Sequence, residues 1–263
     1  KGGFPAAGIA GAAIASSVSE AVSLLFFIIY TSMTADKRKY GFRRAFTLRP
    51  HLLKGMLSIS GWTMVQSFIS VSIWFIFFLA IEHLGERPLA VTNIVRNISA
   101  LLIMVISAFA TTAGALISNQ IGAGEQRCLF KTCGMTLKLT YAILIPLLII
   151  LCLFPESVLR AFTDSPSLIA ASVNSVYVMA SSTLIMAPSF ILFNAVSGTG
   201  NTRAGFIMEM ISLAVYTAVI YYGIIRLKPD VALCWFSEHV YGVTLIFLAW
   251  WYLKSGKWRG KKV

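Results

Sequence analysis

The sequence predicts an all-α, polytopic membrane protein, a helix bundle of about seven transmembrane spans. Three observations carry this reading. Hydrophobic residues fill 57% of the 263 positions and charged residues only 12%, about half the roughly 25% charged share of a soluble globular domain. Mean hydropathy is +0.79. Several apolar runs exceed the roughly 20 residues a helix needs to cross a bilayer, and they do not alternate as the shorter strands of a membrane β-barrel would. This balance argues against a soluble enzyme and against a disordered chain.

The spans fall, in order, at Phe4–Ser32, Leu52–Ile81, Leu89–Ile121, Met135–Phe154, Leu168–Val196, Phe206–Leu227 and Val231–Leu253. The net charge of +12 would suggest nucleic acid in a soluble protein, but here the basic residues sit mostly between spans, so no nucleic-acid partner is expected. Lys37, Arg38, Lys39, Arg43, Arg44, Arg49 and Lys54 precede the second span, and Arg127, Lys131 and Lys138 precede the fourth. Arg203 lies before the sixth span, and Lys254, Lys257, Arg259, Lys261 and Lys262 form the tail. The intervening loops are poor in Lys and Arg. By the positive-inside rule, the tail is cytoplasmic and Lys1 lies outside. The chain opens at Lys1 directly before an apolar run, without signal-peptide anatomy, and reads as a piece of a longer chain.

Each span carries its own polar signal. Glu20 lies mid-way along the first, and an intramembrane carboxylate suggests an ion site or a hydrogen-bonded helix tie. In the second, Ser60, Thr63, Ser67, Ser70 and Trp74 recur on one helix face with Gln66 beside them. Such a strip lines a cavity or packs helices through small residues, and both readings stand. The third repeats the pattern with Asn93, Arg96, Asn97, Met104, Ser107, Thr111, Gly114 and Ser118. Arg96 should face protein or water, or snorkel to headgroups. Pro146 and Pro188 interrupt the fourth and fifth spans, as a hinge or a fixed bend, and Asn194 lies two turns past Pro188. Glu209 is placed within a turn of one end of the sixth span, where it is expected to reach headgroups. Glu238 and His239 sit near the start of the last, where they form either a proton relay or a structural pair. The four cysteines show no metal-type pairing, and no HExxH, GxSxG or Walker A pattern appears, so no enzyme activity and no metal site is expected.

Three segments resemble one family. Gly8–Val22 is similar to the sixth helix of MATE-type multidrug and toxin extrusion transporters. The stretch Leu116–Glu125, ending Gln120-Ile-Gly122-Ala-Gly124, resembles that family's Q-x-x-G-A-G turn after helix eight. Gly198-Thr-Gly200-Asn-Thr-Arg203 resembles its G-x-G-D-T-R turn after helix ten, with Asn201 in place of Asp. The resemblance implies that residues 1–33 are the last helix of an N-terminal lobe and 34–51 a basic cytoplasmic linker between lobes. Residues 52–254 would be a six-helix C-terminal lobe and 255–263 a basic tail.

The function so implied is secondary active export of organic cations or drugs across a bacterial inner membrane by alternating access, in exchange for Na⁺ or H⁺. No other cofactor is expected. The partners would be the lipid bilayer, small organic cations and the N-terminal lobe. Gln66, Ser70, Trp74, Asn93, Asn97 and Asn194 would line the cavity, and Glu20 and Arg96 would form a buried pair or gate. Pro188 would be a hinge, and Gly122, Gly124, Gly198 and Gly200 would shape turns. Family members that bind Na⁺ through acids of helices seven and ten are not matched, since the corresponding spans carry no acid before Glu82. Other members couple protons through an Asp of their first helix, which this chain lacks, so either Glu20 or a residue outside this chain would couple transport. A lipid-linked saccharide flippase of the same superfamily and a non-transporting scaffold are the alternatives.

Overall fold

The computed structural model describes residues 8–34, 50–256 and 258. The basic linker and most of the tail lie outside the described residues. Among those described, every regular element is helical, and seven helices are long and apolar enough to cross a membrane. The protein is therefore an integral membrane protein. The chain divides into two units, residues 1–55 and 56–263. The first contains α1 (Gly8–Thr34) and the first turns of α2 (Pro50–Glu82).

The second unit holds the rest of α2, then α3 (Glu86–Gly122), α4 (Leu129–Leu153), the one-turn α5 (Pro155–Leu159) and α6 (Pro166–Gly198). It ends with α7 (Thr202–Val219), the short α8 (Val231–Cys234) and α9 (Ser237–Ser255). Two helices start earlier than hydropathy alone places them. α4 begins at Leu129, because Lys131 and Lys138 can extend from a helix toward headgroups and nothing in the sequence breaks it. α7 begins at Thr202, where the Asn201 side chain accepts from the Ala204 amide at 3.2 Å and caps the first turn. Past Val219 its last turns widen to π-helical spacing over Ile220–Arg226.

α6 is the axis of this unit, packing against α3, α4, α7, α8 and α9. It runs beside α3 in the same direction. At one end Arg87 Nη2 donates to the Ser167 carbonyl at 3.3 Å. At the other the backbones nearly touch, since a Cβ on Gly198 would lie 2.5 Å from the Gly114 carbonyl oxygen. A Cβ on Gly114 would lie 2.9 Å from the Asn194 carbonyl oxygen. Small residues let helices approach this closely, and Ala110, Ala113 and Ala195 complete the seam, each fully buried. Gly198 is thus primarily a crossing glycine, not a turn glycine.

The turns themselves rest on Gly124 (φ +81°) and Gly200 (φ +79°), which adopt the left-handed conformation that glycine favours. After α3, the Glu125 amide bonds the Gln120 carbonyl at 2.8 Å and the Gly124 amide bonds Ile121 at 3.1 Å, a Schellman ending. Gly122 is the last helical residue and contributes no special backbone geometry. Gln120 Oε1 also accepts from Thr132 Oγ1 at 2.9 Å, tying α3 to α4.

Helix α6 passes through Pro188 without interruption. Proline has no N–H to offer the carbonyl four residues back, that of Leu184. The Tyr141 hydroxyl of α4 donates to that carbonyl instead, at 2.7 Å. In an apolar surrounding a freed backbone carbonyl must find such a partner.

Candidate functional site

A cavity of about 240 Å³ opens between α2, α3, α6, α7 and α9. Its polar lining is Ser70 from α2, Glu209 and Tyr216 from α7, and Glu238 and Tyr241 from α9, while Trp74 and Phe190 add aromatic wall. Helical spacing explains the grouping. Ser70 and Trp74 are four apart, Glu209 and Tyr216 two turns apart, and Glu238 and Tyr241 three apart, so each pair shares a face.

Glu209 is only 4% exposed. Its Oε1 accepts from Ser70 Oγ at 2.8 Å and from the Tyr241 hydroxyl at 2.9 Å. Glu238 Oε1 accepts from the Tyr216 hydroxyl at 2.7 Å. The two tyrosine rings meet edge to face, 5.8 Å between centroids. Among the described residues neither carboxylate makes an ion pair, and neither Oε2 takes a hydrogen bond. Two acidic groups therefore face an aromatic cavity with hydroxyl donors on one oxygen and the other oxygen free. A buried carboxylate without a cation is costly, on the order of several kcal/mol. Such a site favours taking up a proton or a positively charged ligand, and its rings offer π-faces to an organic cation.

Two of the residues read from the sequence, Ser70 and Trp74, line this cavity. Gln66 is half-buried one turn before Ser70, outside the lining. Asn93 and Asn97 are exposed on α3. Arg96, between them, is half-buried with its guanidinium 5.4 Å from the Trp74 ring and 5.2 Å from the Phe78 ring. It faces protein, on aromatic rings. The same side of α3 continues as an open groove containing Met104, Ser107, Thr111 and Asn119. Asn194 instead donates from Nδ2 to the Phe190 carbonyl at 2.9 Å, within its own helix at the α3 crossing. Glu20 is exposed on α1, in the other unit.

Two expectations change. Glu209 does not reach toward headgroups; because α7 starts at Thr202, it lies two turns inside the helix and points to Ser70 and Tyr241. Glu238 and His239 do not form a relay. Adjacent helical residues diverge by about 100°. Glu238 therefore meets Tyr216, while His239 Nε2 contacts Ser181 Oγ at 2.9 Å and its ring stacks on Phe236. The missed signal was the period itself, since Glu209, Leu213 and Tyr216 repeat at helical spacing once α7 is placed correctly.

The helix order and this pocket are those of a polytopic helical membrane protein. The MatE family model matches residues 63–222, and the chain belongs to that family. It is 24% identical to the uncharacterized transporter YisQ of Bacillus subtilis, over 80% of this chain and 46% of that protein. It is 24% identical to a probable multidrug resistance protein, NorM, of Thermotoga maritima, over 100% of this chain and 56% of that protein. The chain thus spans about half the length of the curated relatives it matches. Among solved structures, the Vibrio cholerae MATE transporter VcmN superposes with a TM-score of 0.72 at 15% identity, over 81% of this chain and 48% of that one. A MOP superfamily transporter from Pyrococcus furiosus superposes with a TM-score of 0.67 at 14% identity, over 76% and 44% respectively. At these identities the superpositions speak for the fold.

Proposed function

We propose that this chain is the C-terminal lobe of a secondary active transporter that exports organic cations in exchange for H⁺ or Na⁺ by alternating access. The observation that carries this reading is the cavity in which buried Glu209 and half-buried Glu238 face Trp74, Phe190, Tyr216 and Tyr241. Carboxylates supply charge complementarity and the rings supply stacking, the combination that recognises a flat or quaternary cation. The strip of exposed Asn93, Asn97 and Thr111 and half-buried Ser107 on α3 would continue the cavity wall, as would Gln66 on α2. Glu20 on α1 and Arg96 on α3 are each gating charges in this reading, and the Asn194 backbone lies at the α3–α6 crossing. An N-terminal lobe supplies the facing half. The membrane is the bacterial inner membrane, with the basic tail on the cytoplasmic side.

The test uses the protein carrying this chain together with its N-terminal lobe, in inside-out vesicles. Uptake of a fluorescent organic cation is followed under an imposed Na⁺ gradient and then a pH gradient. Uptake with either gradient supports the exchanger. With folded protein, no uptake under either gradient overturns it and moves attention to translocation of lipid-linked saccharides.

A further inference from the structure

We propose that Glu209 is a proton-binding residue of this lobe and that its proton sets the strength of the polar tie between α2 and the pair α7 and α9. This rests on the transport reading above and adds to it the residue, the ion and the joint that responds.

Helix α2 has few polar ties to its own unit. Among the described residues, its one hydrogen bond to another element is Ser70 Oγ to Glu209 Oε1. The others, Ser72 to the Phe68 carbonyl and His83 to the Leu79 carbonyl, stay within the helix. Its remaining contacts are apolar and aromatic: Phe77, Ala80 and Ile81 are buried against Tyr216, Ile220, Ile224 and Cys234, Trp62 lies on Phe206, and Trp74 and Phe78 carry the Arg96 guanidinium. Glu209 takes a second hydroxyl, Tyr241 of α9, on the same oxygen. One carboxylate oxygen therefore joins three helices.

The other oxygen, Oε2, has no hydrogen-bond partner among the described residues, and Glu209 lines the cavity. Oε2 is the point at which a proton arriving through the cavity would bind. The groups that face Glu209 are Ser70 from α2, Tyr216 on its own helix, and Tyr241 and Glu238 from α9. α3 and α6 present Ile103, Met186 and Phe190, all apolar. Arg96 of α3 is held over Trp74 and Phe78 and forms no ion pair with Glu209.

The ionised carboxylate takes both hydroxyls as charge-assisted bonds, about twice as strong as neutral ones. Protonation at Oε2 forms one O–H bond and leaves Oε1 as a weaker, uncharged acceptor. The tie on α2 is therefore tight when the proton is absent and loose when it is bound. A proton needs only the free Oε2.

The test uses the two-lobed protein in liposomes, with its native cysteines replaced and spin labels at Leu79→Cys on α2 and Phe247→Cys on α9, both exposed positions. The α2–α9 distance distribution is read at pH 5 and pH 8, beside uptake of a fluorescent organic cation under pH and Na⁺ gradients. The expected result is a pH-dependent distance in the parent and one pH-independent distance, that of pH 5, in Glu209→Gln. Uptake driven by the pH gradient falls at least tenfold in that variant. Should Glu209→Gln fail to fold, Ser70→Ala carries the test, since it removes the tie without touching a carboxylate; it is expected to give the pH 5 distance at both pH values. A parent distance that ignores pH, a Glu209→Gln or Ser70→Ala protein that still responds to pH, or uptake driven by Na⁺ alone would each overturn the proposal. The absence of any uptake by the parent defeats the transport reading instead, and the label distances still report on Glu209.

Discussion

Two seams hold the second unit together, and they are built on opposite principles. Where α3 meets α6, backbone lies against backbone: Gly114 and Gly198 leave no room for a Cβ, and the alanines around them are fully buried. Where α2 meets α7 and α9, long side chains reach across a cavity, and the polar link is two hydroxyls on one carboxylate oxygen. A dry, close seam has one good packing and resists sliding, because tightly packed interiors do not deform continuously. A seam made of titratable and hydrogen-bonding groups changes strength with the charge it carries. The first kind suits a rigid core, and the second is where the proposed response of α2 to a proton would fall.

The comparison is most easily broken at the tight seam. Gly198→Ala is expected to lower stability by roughly 1–3 kcal/mol or more, because the new methyl must displace a backbone carbonyl and not a side chain. Gly114→Ala should cost less, since its nearest contact is 2.9 Å and not 2.5 Å. Thermal unfolding in detergent would rank the two, and equal midpoints for both variants and the parent would show that the seam is not tight. Next in size, Tyr141→Phe strands the Leu184 carbonyl and should destabilise by about 1 kcal/mol, with the effect confined to the α4–α6 contact. Hydrogen exchange along α6 reads this directly, as faster exchange around Pro188.

At the polar seam, a double-mutant cycle on Arg96→Gln and Trp74→Leu should yield a coupling of about 0.5–1 kcal/mol for the cation–π contact. A coupling near zero would mean that the guanidinium is held by something other than the ring. Smallest of all is Asn201→Asp. The carboxylate still caps the Ala204 amide, and Tyr252, which now accepts from Asn201 Nδ2 at 2.6 Å, can turn its hydroxyl to donate. A change of only a few tenths of a kcal/mol is expected, against about 1 kcal/mol for Asn201→Ala, and the same melting assay separates them.

The spans were legible in the sequence because burial in lipid writes itself as long apolar runs, and all seven recur as helices. Gly124 and Gly200 were legible as turn residues because nothing else adopts their backbone easily. Ser70 and Trp74 were legible as one polar face. What could not be read were facts that depend on the neighbour. Glu209 looked peripheral because the cap at Asn201 extends α7 by a turn beyond its apolar stretch. Gly198 read as a turn because the partner glycine lies 84 positions earlier in the chain, on another helix. Asn194 read as a cavity residue, yet its amide is taken by its own helix. A helical period tells which residues share a face; it does not tell what that face meets.

The tyrosine over Pro188 has a consequence for motion. A helix that lacks one rung ordinarily folds at the gap, with its two halves free to swing. Here the gap is occupied by a hydroxyl that belongs to a neighbour, so any swing of the far half of α6 pulls on α4 at Tyr141. A bend of α6 at Pro188 would therefore load this hydrogen bond first, and α4 with it.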